Sequence, residues 1–499
     1  MTATRHPAMA AVELVDAPGR AGGGAAGAST AARRRRWPWL AAGALVVVAL
    51  VVAQAVVSAR GRAADARLAA VPGAVALVAR PLAIAWRPTR GEAGVLTSGV
   101  HARGATVGVL KARDGSRTVV ALDDLSGAHR WTHAVSGPDP LRAQVVEGDL
   151  TGRTGSCRAL PSGAPAPDVT AVACLVTDGV VSWDTSDPPL TLRPADHADL
   201  LVLDATTGAV EVERAVRPPD AFGVVGDLLV TADVDPDGRA TLTAADLTTG
   251  AARWTWTTPD RLGADASGGD VLFRVAPLGS AVALSGPDGA VTVLTHGGAL
   301  AHGPAGRGAW DVAATGDGAV LPTGDASHLT SLLVRPGHPD RALPGRAVDA
   351  RVDDGSLRDV QLTTQPTLRG WDPGTGARRW DAHVATYRTA VVLDGRVYVQ
   401  TFDGVAAVDG GTGRVLWRHR APRGTSLDAP TSDGRVLLVV QTPTAPGTDS
   451  SLGAYRLDDG VPLWSAPLPD GVFRVSPAGR ALVGYTAEGA VVLRAAGRY

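Results

Sequence analysis

The sequence predicts an all-β chain, a ring of repeated four-stranded sheets with one membrane-spanning helix ahead of it. Three observations predict this. A pattern of Asp, three residues, Gly, three residues, Trp recurs along the chain. Its copies stand at a regular spacing, and one long uncharged apolar run lies near the start. Repetition at a fixed period decides the architecture before any local reading does.

The complete copies are Asp123, Gly127, Trp131; Asp246, Gly250, Trp254; Asp372, Gly376, Trp380; and Asp409, Gly413, Trp417. Two copies are degraded. Asp204 and Gly208 have Val212 in the Trp place, and Gly460 and Trp464 have Arg456 in the Asp place. Apolar runs precede them, as in Val119–Leu122, Leu200–Leu203 and Val405–Val408. Each copy therefore reads as strand, turn, strand. The Asp carboxylate accepts backbone N–H groups of the turn, and Ser126, Thr207, Thr249, Thr375 and Thr412 tie it through their hydroxyls. The Gly takes the positive-φ place of a short hairpin loop. A large aromatic at one fixed place per unit has to pack on the neighbouring unit, because one small sheet cannot bury it.

Spacing turns the unit into a blade. Trp131, Trp254 and Trp380 stand 123 and 126 residues apart, three steps of about 41–42 residues each, near the four-stranded blade of a β-propeller. The turn at Gly289 fills one skipped slot. The stretch 308–345 fills another although it has lost the motif, and 135–216 reads as one blade with long loops. The C-terminus offers strands at Val472–Ser476, Ala481–Thr486 and Ala490–Arg494, and Leu82–Trp86 looks like a lone final strand carrying its Trp. A sheet built from both ends hides the edges of an open ring. The candidates number eight or nine, and eight is the expectation.

The stretches LDATTGAVEV, WDPGTGARRW and VDGGTGRVLW resemble the PQQ-like β-propeller repeat. The resemblance covers roughly residues 75–499 and implies an eight-bladed propeller. That family holds quinoprotein alcohol dehydrogenases. It also holds non-enzymatic propellers, such as the lipoprotein subunit of the outer-membrane barrel-assembly machine. In the enzymes of the family the resemblance implies a ring of adjacent cysteines, a stacking Trp and a calcium held partly by Asn. This chain has no adjacent cysteines and no Asn. The PQQ site is therefore not carried over, and a non-enzymatic member is expected.

Residues 1–36 are small and polar, without a hydrophobic period, and end in the block Arg33–Arg36. They are expected to be a disordered cytoplasmic tail. Residues 37–58, Trp37–Ser58, carry no charge, and about 20 apolar residues suffice to cross a bilayer. Trp37 and Trp39 stand as interfacial anchors, and the arginine block keeps the tail inside. A cleaved secretory signal ending near Val57-Ser58-Ala59 is the alternative. Residues 59–74 form a linker, and residues 75–499 the propeller, which either route places outside the cytoplasm.

An exported location suits the two cysteines, Cys157 and Cys174. Their even count favours a disulfide; two free thiols, with Cys174 buried as a small apolar residue, are the alternative. Lys111 is the only lysine and Ile84 the only isoleucine. This bias fits the codon choice of a GC-rich genome and carries no functional signal. A net charge of −1 gives no basic footprint for nucleic acid. Hydrolase elbows, Walker loops and zinc-protease motifs are missing. Asp233, Asp235, Asp237 and Gly238 form Asp-x-Asp-x-Asp-Gly, a weak Ca²⁺ candidate, because Ala244 stands where the closing Glu belongs. The same residues make a plain turn. The function expected is a membrane-anchored envelope scaffold that binds an unknown envelope protein partner, with a quinone-dependent enzyme or a small-molecule sensor as alternatives.

Overall fold

The computed structural model describes Gln54 and residues 71–495, except 113, 140–154, 162–165, 183–189, 194, 263–273, 279–280, 287–289, 306–312, 316–317, 324–329, 336–337 and 445–448. The chain splits into two bodies, Met1–Ala64 and Asp65–Tyr499. The tail 1–36, all of the span Trp37–Ser58 but Gln54, and most of the linker 59–74 lie outside the described residues. Among the described residues no helix is long and apolar enough to cross a membrane.

The second body is almost wholly antiparallel β. Its described strands form nine four-stranded units in chain order. Units 1 to 5 span residues 100–136, 155–216, 221–257, 274–305 and 313–344. Units 6 and 7 share one long strand, Arg378–Leu393. Its first half is the outer edge of unit 6 and its second half opens unit 7. The strand Asp349–Asp353 adds a parallel partner to that second half. Unit 8 spans 425–467. Unit 9 is assembled from both ends of the chain. Arg474–Ala478, Ala481–Thr486 and Gly489–Ala495 come from the C-terminus, and Leu82–Trp86 pairs antiparallel with Gly489–Ala495.

The eight blades expected are therefore nine. The motif-poor stretch and the sheet of both termini each make a full unit. The reason is that unit formation rests on apolar strands packing sheet on sheet, and the turn motif is dispensable. In unit 5, which lacks the motif, Val320, Leu333 and Leu343 are buried with Trp371 of unit 6. The segment 135–216 is one unit, as expected, with an extra hairpin of Val180–Ser182 and Leu190–Arg193.

Each unit joins the next through a buried apolar cluster. The last joint closes the ring without a continuous sheet. Val95 and Leu96 of the helix Arg90–Ser98 pack there with Val120 and Leu122 of unit 1 and Ala481, Val483 and Val492 of unit 9. The helix starts at a capping box, in which Thr89 and Glu92 satisfy each other's backbone N–H groups. A polar chain crosses the same joint. Gly479 N donates to His101 Nε2 at 3.0 Å, His101 Nδ1 meets Thr106 Oγ1 at 2.8 Å, and Thr106 Oγ1 donates to Asp124 Oδ1 at 2.6 Å. Arg480 N donates to Asp124 Oδ2 at 3.1 Å. With Nε2 accepting and the Thr106 proton spent on Asp124, the His101 proton must sit on Nδ1. Burial lowers the His101 pKa, and Asp124 pulls against it.

Candidate functional site

The repeat turns act as the sequence implies. Asp123 Oδ1 accepts Ser126 N at 2.9 Å and Ser126 Oγ at 2.8 Å. Asp204, Asp246 and Asp409 hold Thr207, Thr249 and Thr412 in the same way, and Asp372 takes Thr375 N. The second carboxylate oxygen finds a partner that sequence reading missed, the Arg just before the repeat Trp. Arg130, Arg253 and Arg379 reach Asp123, Asp246 and Asp372 at 2.7, 2.7 and 2.8 Å. The signal was on the page as His-Arg-Trp, Ala-Arg-Trp and Arg-Arg-Trp. Burial raises the Asp123 carboxyl, but Arg130 and the turn donors outweigh it and hold it at about 2. The Thr249 N–H and then Arg253 hold Asp246 well below the usual carboxylate range, and Arg379 and then Thr375 do so for Asp372.

The repeat Trp and Gly lock consecutive units. Trp131 lies on Gly208 of the next unit, Trp254 on Gly298, Trp380 on Gly413 and Trp417 on Gly460. The indole Nε1 of each donates to a turn carbonyl of that unit: Ala205, His296, Gly410 and Leu457, at 2.8–3.3 Å. Trp86 closes the ring on Gly127, although its buried Nε1 has no acceptor among the described residues. At two joints without the Trp an arginine takes its place, the Arg214 guanidinium against Gly250 and the Arg341 stem against Gly376. Trp464 has no such turn ahead of it, because unit 9 is cut there by the chain ends. Val75 and Val78 pack in its cluster instead.

The two ends of the units differ. In an antiparallel four-stranded unit the first and third turns share one end, and the second turn and the link to the next unit share the other. The repeat turns are third turns, bonded to first turns by Asp124 N to Gly104 O, Leu247 N to Asp227 O and Gly410 N to Gly395 O. The segment Val71–Val78 is strapped along this same rim. Asp353 N bonds Pro72 O, Val75 N bonds Ser432 O, and Ala76 N bonds Arg480 O. Val78 N donates to Asp433 Oδ2. The opposite rim carries exposed aromatics. Phe402, 68% exposed in the second turn of unit 7, stands edge-to-face with Tyr387 at 5.0 Å. Phe473, 61% exposed, enters unit 9 on that rim.

Asp233, Asp235 and Asp237 also lie on that opposite rim, at the second turn of unit 3. Asp233 is the last residue but one of the strand Leu228–Val234. Asp235 Oδ1 accepts Arg239 N at 2.9 Å, and Asp237 pairs with Arg261 at 3.6 Å. Burial raises the Asp233 carboxyl, with Arg217 opposing. Among the described residues no group of three His, Cys, Asp or Glu is placed to hold a metal ion. Cys157 and Cys174 are register partners in unit 2 and form a disulfide. Both are buried at the joint with unit 1. Trp371 is buried and donates to Thr363 Oγ1 at 2.7 Å.

Residues 364–498, the end of unit 6 and units 7 to 9, match the family model described as outer membrane protein assembly factor BamB. This part of the chain is similar to the PQQ-like repeat family. No curated protein matches the sequence. Among solved structures the chain is similar to BamB from Moraxella catarrhalis, with 16% identity, 84% of this chain and 99% of that one covered, and a TM-score of 0.37. It is similar to the C-terminal WD40 domain of Sif2, with 13% identity, 80% and 95% covered, and a TM-score of 0.36. The dihydro-heme d1 dehydrogenase NirN in complex with DHE shows 13% identity, 78% of each chain covered, and a TM-score of 0.34. Identities this low say nothing about function. The repeated turn, Gly and Trp lock the joints at which they occur, and these positions are structural.

Proposed function

We propose that this protein is a membrane-anchored, extracytoplasmic propeller that serves the cell envelope as a protein-binding or scaffold module. The observation that carries the reading is the sidedness of the ring. The segment Val71–Val78 is strapped to the repeat-turn rim, and the opposite rim bears the exposed aromatics Phe402, Tyr387 and Phe473. Exposed aromatics on a rigid element are the residues that protein partners engage. The disulfide supports an oxidising compartment. The test is topology. Protease added to spheroplasts should cut loops of the propeller and spare a tag at residue 2. Protection of both ends would overturn the exported reading, and a released body beginning near Arg60 would replace the anchor with a cleaved signal.

The proposal includes that the protein is no quinoprotein oxidoreductase. The residues do not fit the cofactor, since both cysteines are consumed in one cross-strand bond, buried at a joint between units. With added pyrroloquinoline quinone and Ca²⁺ the purified chain should show no dye-linked alcohol oxidation. Turnover above the cofactor-only blank would put the enzyme reading in its place.

A further inference from the structure

Units 1 and 9 meet without a shared sheet, and the polar link between them runs through an imidazole. Gly479 N and Arg480 N, in the first turn of unit 9, donate to His101 Nε2 at 3.0 Å and to Asp124 Oδ2 at 3.1 Å. Thr106 Oγ1 stands between the two acceptors, 2.8 Å from His101 Nδ1 and 2.6 Å from Asp124 Oδ1. Thr106 and Asp124 are buried. The fit leaves no slack, since a Cβ on Gly479 would stand 2.5 Å from Asp124 Oδ2 and 2.6 Å from His101 Nδ1. The joints of units 1 with 2, 3 with 4, 6 with 7 and 7 with 8 are held instead by an indole N–H on a carbonyl, a bond between groups that mild acid does not titrate. At the closing joint the Trp86 Nε1 makes no such bond among the described residues.

These bonds require a neutral imidazole with its one proton on Nδ1. A second proton would go to Nε2 and turn it from acceptor into donor, facing the Gly479 N–H. Two donors would then meet across the joint, and the Gly479 amide would lose its partner. Charges stand on every side of His101. Burial lowers its pKa first, and Asp124 opposes by favouring the cation. Arg103, in the same hairpin, is turned to Thr206 Oγ1 at 3.3 Å. Arg130 bonds the carbonyls of Arg103 and Gly104 at 3.0 and 2.9 Å. Arg480 brings a further cation from unit 9. On the helix ahead of the strand, Glu92 is engaged by His129 at 3.0 Å. On the side of unit 2, Asp168 is exposed and Arg158 lies over the Phe222 ring. The unfolded chain takes up the proton near about 6.5 and the closed joint only at lower pH, so closure weakens as pH falls below that value.

We propose that His101 is an acid-released latch: neutral, it ties unit 9 to unit 1, and one proton taken up at Nε2 loosens the closing joint of the ring while the other joints hold. The latch does not depend on the scaffold reading. The test is amide hydrogen exchange of the full-length chain in detergent at about pH 7.5 and about pH 5, each referenced to the unfolded chain at the same pH. In the parent, protection of residues 95–107 and 474–486 is expected to fall on the order of tenfold in acid, the effect of a one-unit difference in pKa between closed and open joint. Residues 405–420, at the joint of units 7 and 8, should keep theirs. His101→Gln offers an acceptor to Gly479 N–H and takes no proton, so its closing joint should be equally protected at both pH values. Protection of the closing joint that is unchanged by acid in the parent, or that falls equally in His101→Gln, would overturn the proposal. Should that variant not fold, exchange at the imidazole C2 of His101 in the parent decides. A titration midpoint below about 6.5 supports the latch, and one at or above it overturns the latch.

Discussion

At the scale of the residue, the joints of the ring rest on an indole lying on a glycine. Trp380 and Trp417 are 6% and 8% exposed, so truncation to Ala should cost about 3–5 kcal/mol in denaturant unfolding, the range for a buried aromatic. Trp254 is only half-buried and should cost less. Equal losses at all three would mean that burial does not set the effect. Gly413 has a φ of +74°, and a Cβ there would stand 2.7 Å from the Trp380 ring. Gly413→Ala should therefore destabilise by strain and by displacing that ring. The repeat aspartates carry the acid sensitivity. Asp123 titrates at about 2 in the fold, below about 3.9 for a free Asp. A lowered carboxyl stabilises above its unfolded pKa, and that stability is lost as pH falls through the folded value. The stability gap between the parent and Asp123→Asn should thus shrink from about pH 5 to about pH 2. A gap that stays constant over that window would assign the effect to packing. Asp, Gly and Trp were legible because their chemistry demands fixed spacing. Arg130, Arg253 and Arg379 were not, because arginine is common on any solvated strand.

At the scale of the element, the strands were legible and the helix was not. Arg90–Ser98 contains Gly91 and Gly94, which lower helix propensity by about 1 kcal/mol each. Its apolar face is only Val95 and Leu96. It forms because the joint between units 9 and 1 needs a plug there and the Thr89–Glu92 box starts it. Unit 5 was hidden for a related reason, since packing on both sides replaces turn chemistry. The disulfide was legible as a choice between two states, and the register settles it. Closing a loop of 17 residues should contribute on the order of 3 kcal/mol. Cys157→Ser with Cys174→Ser should lower stability by about that much in urea unfolding, and the parent should match the variant once reduced. A persistent difference after reduction would point to a packing role for the sulfurs.

At the scale of the whole molecule, the count of nine was open because apolar strands repeat without a label, and units 4, 5 and 9 carry no Asp-Gly-Trp signature. Closure by both ends was visible in the lone strand Leu82–Trp86. A chain lacking residues 1–70 keeps this strand and the strap and should stay monomeric and cooperative in melting. A chain lacking residues 1–86 leaves Gly489–Ala495 as a bare edge, and should melt lower and self-associate on size exclusion. Equal behaviour of the two would mean that the ring does not need its N-terminal strand. The pairing of Leu82–Trp86 with Gly489–Ala495 also sets a timetable. The ribosome releases the first strand early and its partner last, roughly 400 residues later, and at about 5–20 residues per second that is tens of seconds of waiting. Through that interval Ile84 and Trp86 have no sheet to join. A nascent chain that stops anywhere between Trp86 and Gly489 keeps the orphan strand for good, so all such incomplete products, long or short, display the same adhesive flag to proteases and holdases.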